Sequence, residues 1–137
     1  MRKIDVVLSL VFASFLFSAC ASKMGFQRSP VVPGADGKVA VKKDNNNNYS
    51  ITVNTVNLPS SKNLTPSKDV YVVWMEDENK NVKKLGQIKP STGLLSKAYK
   101  GEMKATSTTR PRKIFITAED NTELEYPSND LVLTTSD

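Results

Sequence analysis

A strand that is apolar on both faces has to be covered twice, once on each side of its sheet. Residues 69–77, DVYVVWMED, form such a run. In an extended chain Val70, Val72 and Trp74 share one face, and Tyr71, Val73 and Met75 share the other. The run therefore predicts a central strand. Around it lie segments of plainer alternation. KVAVKK, residues 38–43, predicts the first strand. YSITVNTVNL, residues 49–58, alternates through Tyr49, Ile51 and Val53 and then changes phase to Val56 and Leu58, which predicts a β-bulge near Asn54 and Thr55. VKKLGQIK (82–89), RKIFITAE (112–119) and LVLTT (131–135) predict further strands. LLSKAYKGEMKAT, residues 94–106, carries Gly101 and predicts a bent strand rather than a helix. DNNNN, PSSKNLTPSK and ENKN separate these runs as turns and loops.

About seven strands at this spacing predict an all-β fold, an Ig-like antiparallel β-sandwich. Its expected extent is residues 35–137. Trp74 is expected to fill the space between the sheets, with Tyr71 on the opposite face of the same strand. One cysteine excludes an internal disulfide, so burial alone must hold the sheets together. At about 25 cal/mol per Å2, roughly a dozen buried apolar side chains suffice for a domain of this size.

That cysteine, Cys20, stands at the end of a different kind of segment. Met1-Arg2-Lys3 opens the chain with positive charge, and residues 6–17, VVLSLVFASFLF, are apolar apart from two serines. The run is shorter than the roughly 20 apolar residues a membrane-spanning helix needs and suits the core of a secretory signal peptide. FSAC, residues 17–20, resembles a bacterial lipobox, with Phe17 where leucine is usual. The resemblance implies a lipoprotein signal peptide over residues 1–19 and acylation of Cys20. The membrane lipid is then the first expected partner. Ala21 rather than aspartate follows the cysteine, which by similarity to known sorting signals implies delivery to the outer membrane, facing the periplasm. Residues 20–34, rich in glycine and proline and without sustained periodicity, predict a flexible tether of up to about 45 Å.

Charge and composition narrow the function. The net charge is +5, and cleavage after residue 19 lowers it to +4. This balance favours contact with an anionic surface, phospholipid or an anionic envelope polymer. No RNP motif, zinc finger or basic helix is present, so nucleic acid is not an expected partner. The chain has no histidine, which removes the commonest general base, metal ligand and partner of a nucleophilic serine or cysteine. No enzyme activity, cofactor or metal is expected. DNNNN and DENKN both begin like a calcium loop, D-x-N-x-N, but Tyr49 and Val82 stand where glycine is required, and Thr55 and Ile88 where glutamate is. Both are expected to be polar hairpin turns. Glu76, Asp77 and Glu78 run into the second turn and define no catalytic pair. The basic clusters, among them Lys42-Lys43, Lys83-Lys84 and Arg112-Lys113, are expected to solvate the surface and guard sheet edges, the alternative being one anion-binding face.

YVVWMEDENKNVKKLGQI, GEMKATSTTRPRKIFITAEDN and YPSNDLVLTTS together resemble the extracytoplasmic domain of anti-sigma-K factors. The positions that carry the resemblance are Tyr71, Trp74, Gly86, Thr117, Glu119 and Pro127. Small uncharacterised bacterial envelope lipoproteins resemble the chain further, through PGADGKVAVKKD, NLTPSKDVYVVW and ITAE. The likeness implies the outer half of such a factor held by lipid in place of a transmembrane helix. Without a cytoplasmic domain, no direct binding of a sigma factor is implied. The expectation is a non-enzymatic envelope protein acting as a binding or structural module. The alternative is a sensory or regulatory accessory domain.

Overall fold

The computed structural model describes residues 21–137. The expected signal peptide and Cys20 lie outside the described residues. Nine strands follow in order: β1 (Ser22–Gly25), β2 (Asp36–Lys43), β3 (Tyr49–Val56), β4 (Val70–Asp77), β5 (Val82–Ile88), β6 (Ser91–Thr92), β7 (Tyr99–Ser107), β8 (Pro111–Glu119) and β9 (Leu131–Thr134). They form two antiparallel sheets, β1-β2-β3-β7-β6 and β5-β4-β8-β9, in an immunoglobulin-like β-sandwich. The run 69–77 supplies β4, which is an inner strand, paired with β5 on one side and β8 on the other. The two strands beyond the expected seven, β1 and β6, are four and two residues long.

Three expectations are corrected. The first concerns the tether. Ser22 to Gly25 pair with Val41 to Lys38 of β2, and the Gln27 N–H donates to the Thr134 carbonyl at 2.8 Å. Ser29 is buried, and its Oγ accepts the Val32 N–H at 2.9 Å. Four residues of the supposed tether thus close the edge of β2, which would otherwise present unpaired backbone groups, and Gln27 ties the next part to β9. Met24 and Phe26, two residues apart, turn inward against the core. Their period-2 signal is only two residues long, and proline and glycine surround it.

The second correction concerns β3. It is regular from Tyr49 to Val56 against both neighbours, without a bulge at Asn54 or Thr55. The phase change comes from the end of the strand: Asn57 adopts φ 55° and delivers Leu58, fully buried, into the core. Register shifts lie instead in the four-stranded sheet, among them a bulge in β5, where Val73 opposes Gly86 but Trp74 opposes Lys84, leaving Leu85 as the extra residue. Gly86 takes φ 151° there, a conformation that L-residues rarely adopt.

The third correction concerns Trp74. The space between the sheets holds Val39, Val41, Ile51 and Val53 against Tyr71, Val73 and Met75, joined by Ile114 and Ile116. Trp74 belongs to a second cluster with Val70 and Val72, against which Val82, Phe115 and Leu124 pack. It is fully buried, but on the outer face of the four-stranded sheet. Tyr71 faces the inter-sheet core in its place. The cover on the outer face is the β8–β9 connection, residues 120–130, which folds back so that Leu124 caps the cluster. Lys84 Nζ holds this strap by donating to the carbonyls of Thr122 at 2.7 Å and Leu124 at 3.0 Å.

Candidate functional site

Register brings three of the expected residues together. β4 pairs with β8 so that Val72 opposes Thr117 and Trp74 opposes Phe115. Thr117 and Glu119, two apart in β8, share the outer face with Trp74. The Trp74 indole N–H donates to Thr117 Oγ1 at 2.8 Å. The Thr117 hydroxyl donates in turn to Glu119 Oε1 at 2.5 Å. The backbone N–H of Ser128 donates to the same carboxylate oxygen at 3.0 Å. All three side chains are at most 2% exposed. Pro127 precedes Ser128 and so stands where the strap returns to the sheet.

This is a relay with one direction, from indole to hydroxyl to carboxylate. The Thr117 proton is committed to Glu119, and the Thr117 oxygen already accepts from Trp74, so the hydroxyl is not set up to attack a substrate. What the relay does is fasten residues 120–130 over the Trp74 cluster. Breaking it strands buried polar groups at a cost of about 1–3 kcal/mol.

Tyr71 and Gly86 lie elsewhere. Tyr71 donates its hydroxyl to the Pro59 carbonyl at 2.9 Å, tying the loop after β3 to β4, and burial pushes its phenol up to about 12. Gly86 marks the β5 bulge, and a Cβ on it would meet Met103 Cε at 3.0 Å.

The two D-x-N-x-N segments are hairpin turns of one design. Asp44 Oδ1 accepts the N–H groups of Asn46 at 2.8 Å and Asn48 at 2.9 Å. Asp77 Oδ1 accepts those of Asn79 at 2.9 Å and Asn81 at 3.0 Å. Asn47 and Lys80, one place before the close, both take positive φ. Burial raises the Asp77 carboxyl, but its bonds from Asn81 and Asn79, with Lys83 nearby, outweigh that and hold it below the ordinary carboxylate range. These carboxylates are occupied by their own backbone, as the sequence predicts for turns.

A cleft of about 130 Å3 opens between Leu64, Pro66, Ala118 and Val132, with Lys68 at its rim. Lys68 is already bridged to Asp130 at 2.8 Å and Asp120 at 3.4 Å, so the cleft offers no free charge to an anionic ligand.

The basic residues divide into two populations. At the end of the sandwich that holds the β4–β5 and β7–β8 turns, Arg110 pairs with Glu78, Arg112 with Glu76 and Asp137, and Lys113 with Asp137. Lys113 and then Arg112 draw the Asp137 carboxyl below its usual value. Lys62 pairs with Asp69. A second group, described below, lies on the outer face of the five-stranded sheet. A comparison with known protein families and with curated proteins finds no match to the chain.

Proposed function

We propose that the protein is a non-enzymatic, lipid-anchored bacterial envelope protein whose β-sandwich acts as a binding or structural module. The observation that carries this reading is the position of FSAC: only Ala21 separates Cys20 from the first residue of β1. A lipobox placed there puts acyl chains at the margin of the folded sandwich. Two or three chains at about 0.8 kcal/mol per buried methylene anchor it stably. The orientation follows the sorting rule read from Ala21: outer membrane, facing the periplasm.

We read the domain as a relative of the outer domain of anti-sigma-K factors. Support comes from Trp74, Thr117 and Glu119, three of the positions that carry the resemblance, which share one buried relay.

Cys20→Ser tests the anchor. The variant is expected to leave the membrane fraction and to lose the lipid mass on its N-terminal peptide. A variant that stays in the membrane with unchanged mass refutes the reading.

A further inference from the structure

The outer face of the five-stranded sheet is exposed and basic. In β2 the residues that alternate with Val39 and Val41 are Lys38, Ala40 and Lys42. In β7 those that alternate with Gly101 and Met103 are Lys100, Glu102 and Lys104. Register aligns these rows through β3: Lys38 with Asn54 and Glu102, Ala40 with Thr52 and Lys104, Lys42 with Ser50 and Thr106. Lys23 of β1 lies opposite Ala40 and extends the second row. All five lysines are exposed. Two carboxylates, Asp36 and Glu102, share the face, which leaves it three charges positive. Among the described residues, the one ion pair on this face is Lys104 with Glu102 at 3.6 Å. Between them stand mostly small or short polar side chains, Ala40, Ser50, Thr52 and Asn54, with Val56 beside Lys100. At strand spacings of about 4.8 Å and rises of about 3.3 Å per residue, the face measures roughly 15 by 25 Å.

The opposite side of the molecule has a different balance of charge. The strap over the four-stranded sheet carries Asp120, Glu123, Glu125 and Asp130 and no lysine or arginine of its own, while Lys68 bridges Asp120 and Asp130 and Lys84 bonds two of its carbonyls. The sandwich is therefore unevenly charged, with a net positive face on one sheet and a strap of acidic residues, two of them neutralised by Lys68, over the other. Two further features mark the basic side. The described chain begins at Ala21, next to Ser22, which pairs with β2 opposite Val41 beside Lys42. At the far corner of the same sheet, the β6–β7 connection exposes Leu94 and Leu95 completely. That connection and the start of β7 carry Lys97 and Lys100 and no carboxylate.

We propose that the outer face of the five-stranded sheet lies flat on an anionic phospholipid surface. The lysines of β1, β2 and β7 meet the headgroups, Leu94 and Leu95 enter the interface at one corner, and the acidic strap is turned away. Charge complementarity favours this occupant, as does the place of Cys20, one residue before the β1 edge beside Lys42. A planar array of separated lysines with short side chains between them matches a plane of headgroups, and an apolar pair beside lysines matches the boundary between headgroups and acyl chains. The placement rests on the lipid anchor proposed above.

The test uses the full chain reconstituted into vesicles of phosphatidylcholine alone, or of equal parts phosphatidylcholine and phosphatidylglycerol. Lysine acetylation is followed by mass spectrometry. Lys38, Lys42, Lys100 and Lys104 are expected to react about fivefold more slowly in the anionic vesicles, an effect erased by about 0.5 M NaCl. Lys62 and Lys80 are expected to react equally in both. Equal rates for the face lysines in the two vesicles, or protein that remains free of both, overturn the proposal. Stronger protection by soluble dextran sulfate than by the anionic vesicles overturns it in favour of a polymer ligand. The N-terminal peptide in the same digest reports the anchor separately. Lipid on Cys20 without protected lysines refutes the face alone, and protected lysines with an unmodified Cys20 refute the anchor alone.

Discussion

Thr117 is the middle of the buried relay, and both of its hydrogen bonds pass through one oxygen. Valine has nearly its shape but neither donates nor accepts. Thr117→Val should leave the Trp74 indole N–H unpaired and remove one donor from Glu119. The expected loss is about 2 kcal/mol of unfolding free energy, within the usual range for stranding a buried polar group. The chain has one tryptophan, so its fluorescence during denaturant unfolding reports on the strap and its cluster directly. A loss below about 0.5 kcal/mol would contradict the relay's role. Thr117 and Glu119 stand two apart in a strand, and that much is legible in the sequence. Their meeting with Trp74 is not, because it depends on β4 and β8 pairing with Val72 opposite Thr117, a long-range register.

Strands with a clear apolar pattern are legible: β2, β3 and β8 arise where alternation predicts them and β4 where a run apolar on both faces does, whereas the bent strand expected over 94–106 on the strength of Gly101 begins only at Tyr99. Three finer features escape for separate physical reasons. β4 is apolar on both faces, so nothing local tells which face meets the other sheet, and the answer came from the strap folding over Trp74. The phase change after Val53 reads equally as a bulge or as a strand end, and the positive φ at Asn57 decides it. β1 is stabilised by its partner β2 rather than by its own pattern. Hydrogen exchange separates an edge strand from a tether. The Gln27 amide, bonded to the Thr134 carbonyl, should exchange at least about 100-fold more slowly than an unstructured amide, since opening it requires detaching the segment after β1 from β9. Exchange of Gln27 at the unstructured rate would restore the tether. Gly37 adds a steric reason for a close edge. A Cβ there would lie 2.2 Å from the Asn54 carbonyl oxygen and 3.0 Å from the Phe26 ring.

At the scale of the whole molecule, net charge is less informative than its distribution. A chain of +5 is mildly basic, yet the folded sandwich gathers five lysines on one sheet, only Lys104 of them in an ion pair, and a strap of carboxylates over the other. Sequence clusters do not forecast this. Arg112 and Lys113, adjacent in the chain, are drawn to Glu76 and Asp137, whereas Lys23, Lys38 and Lys104, far apart in the chain, share one face. Alternation separates neighbours and pairing unites distant residues, so a basic face on a sheet is a property of register. With Cys20 one residue from the edge strand, little free chain remains in which the domain can turn away from an anchoring bilayer. The account therefore makes a claim about orientation. Spin labels at Asn54→Cys, in the middle of the basic face, and at Glu123→Cys, on the strap, test it in anionic vesicles carrying a nickel chelate on their headgroups. The account predicts strong relaxation of the Asn54 label and little change in the Glu123 label. Equal relaxation of the two labels, or the stronger effect on the strap, would contradict it.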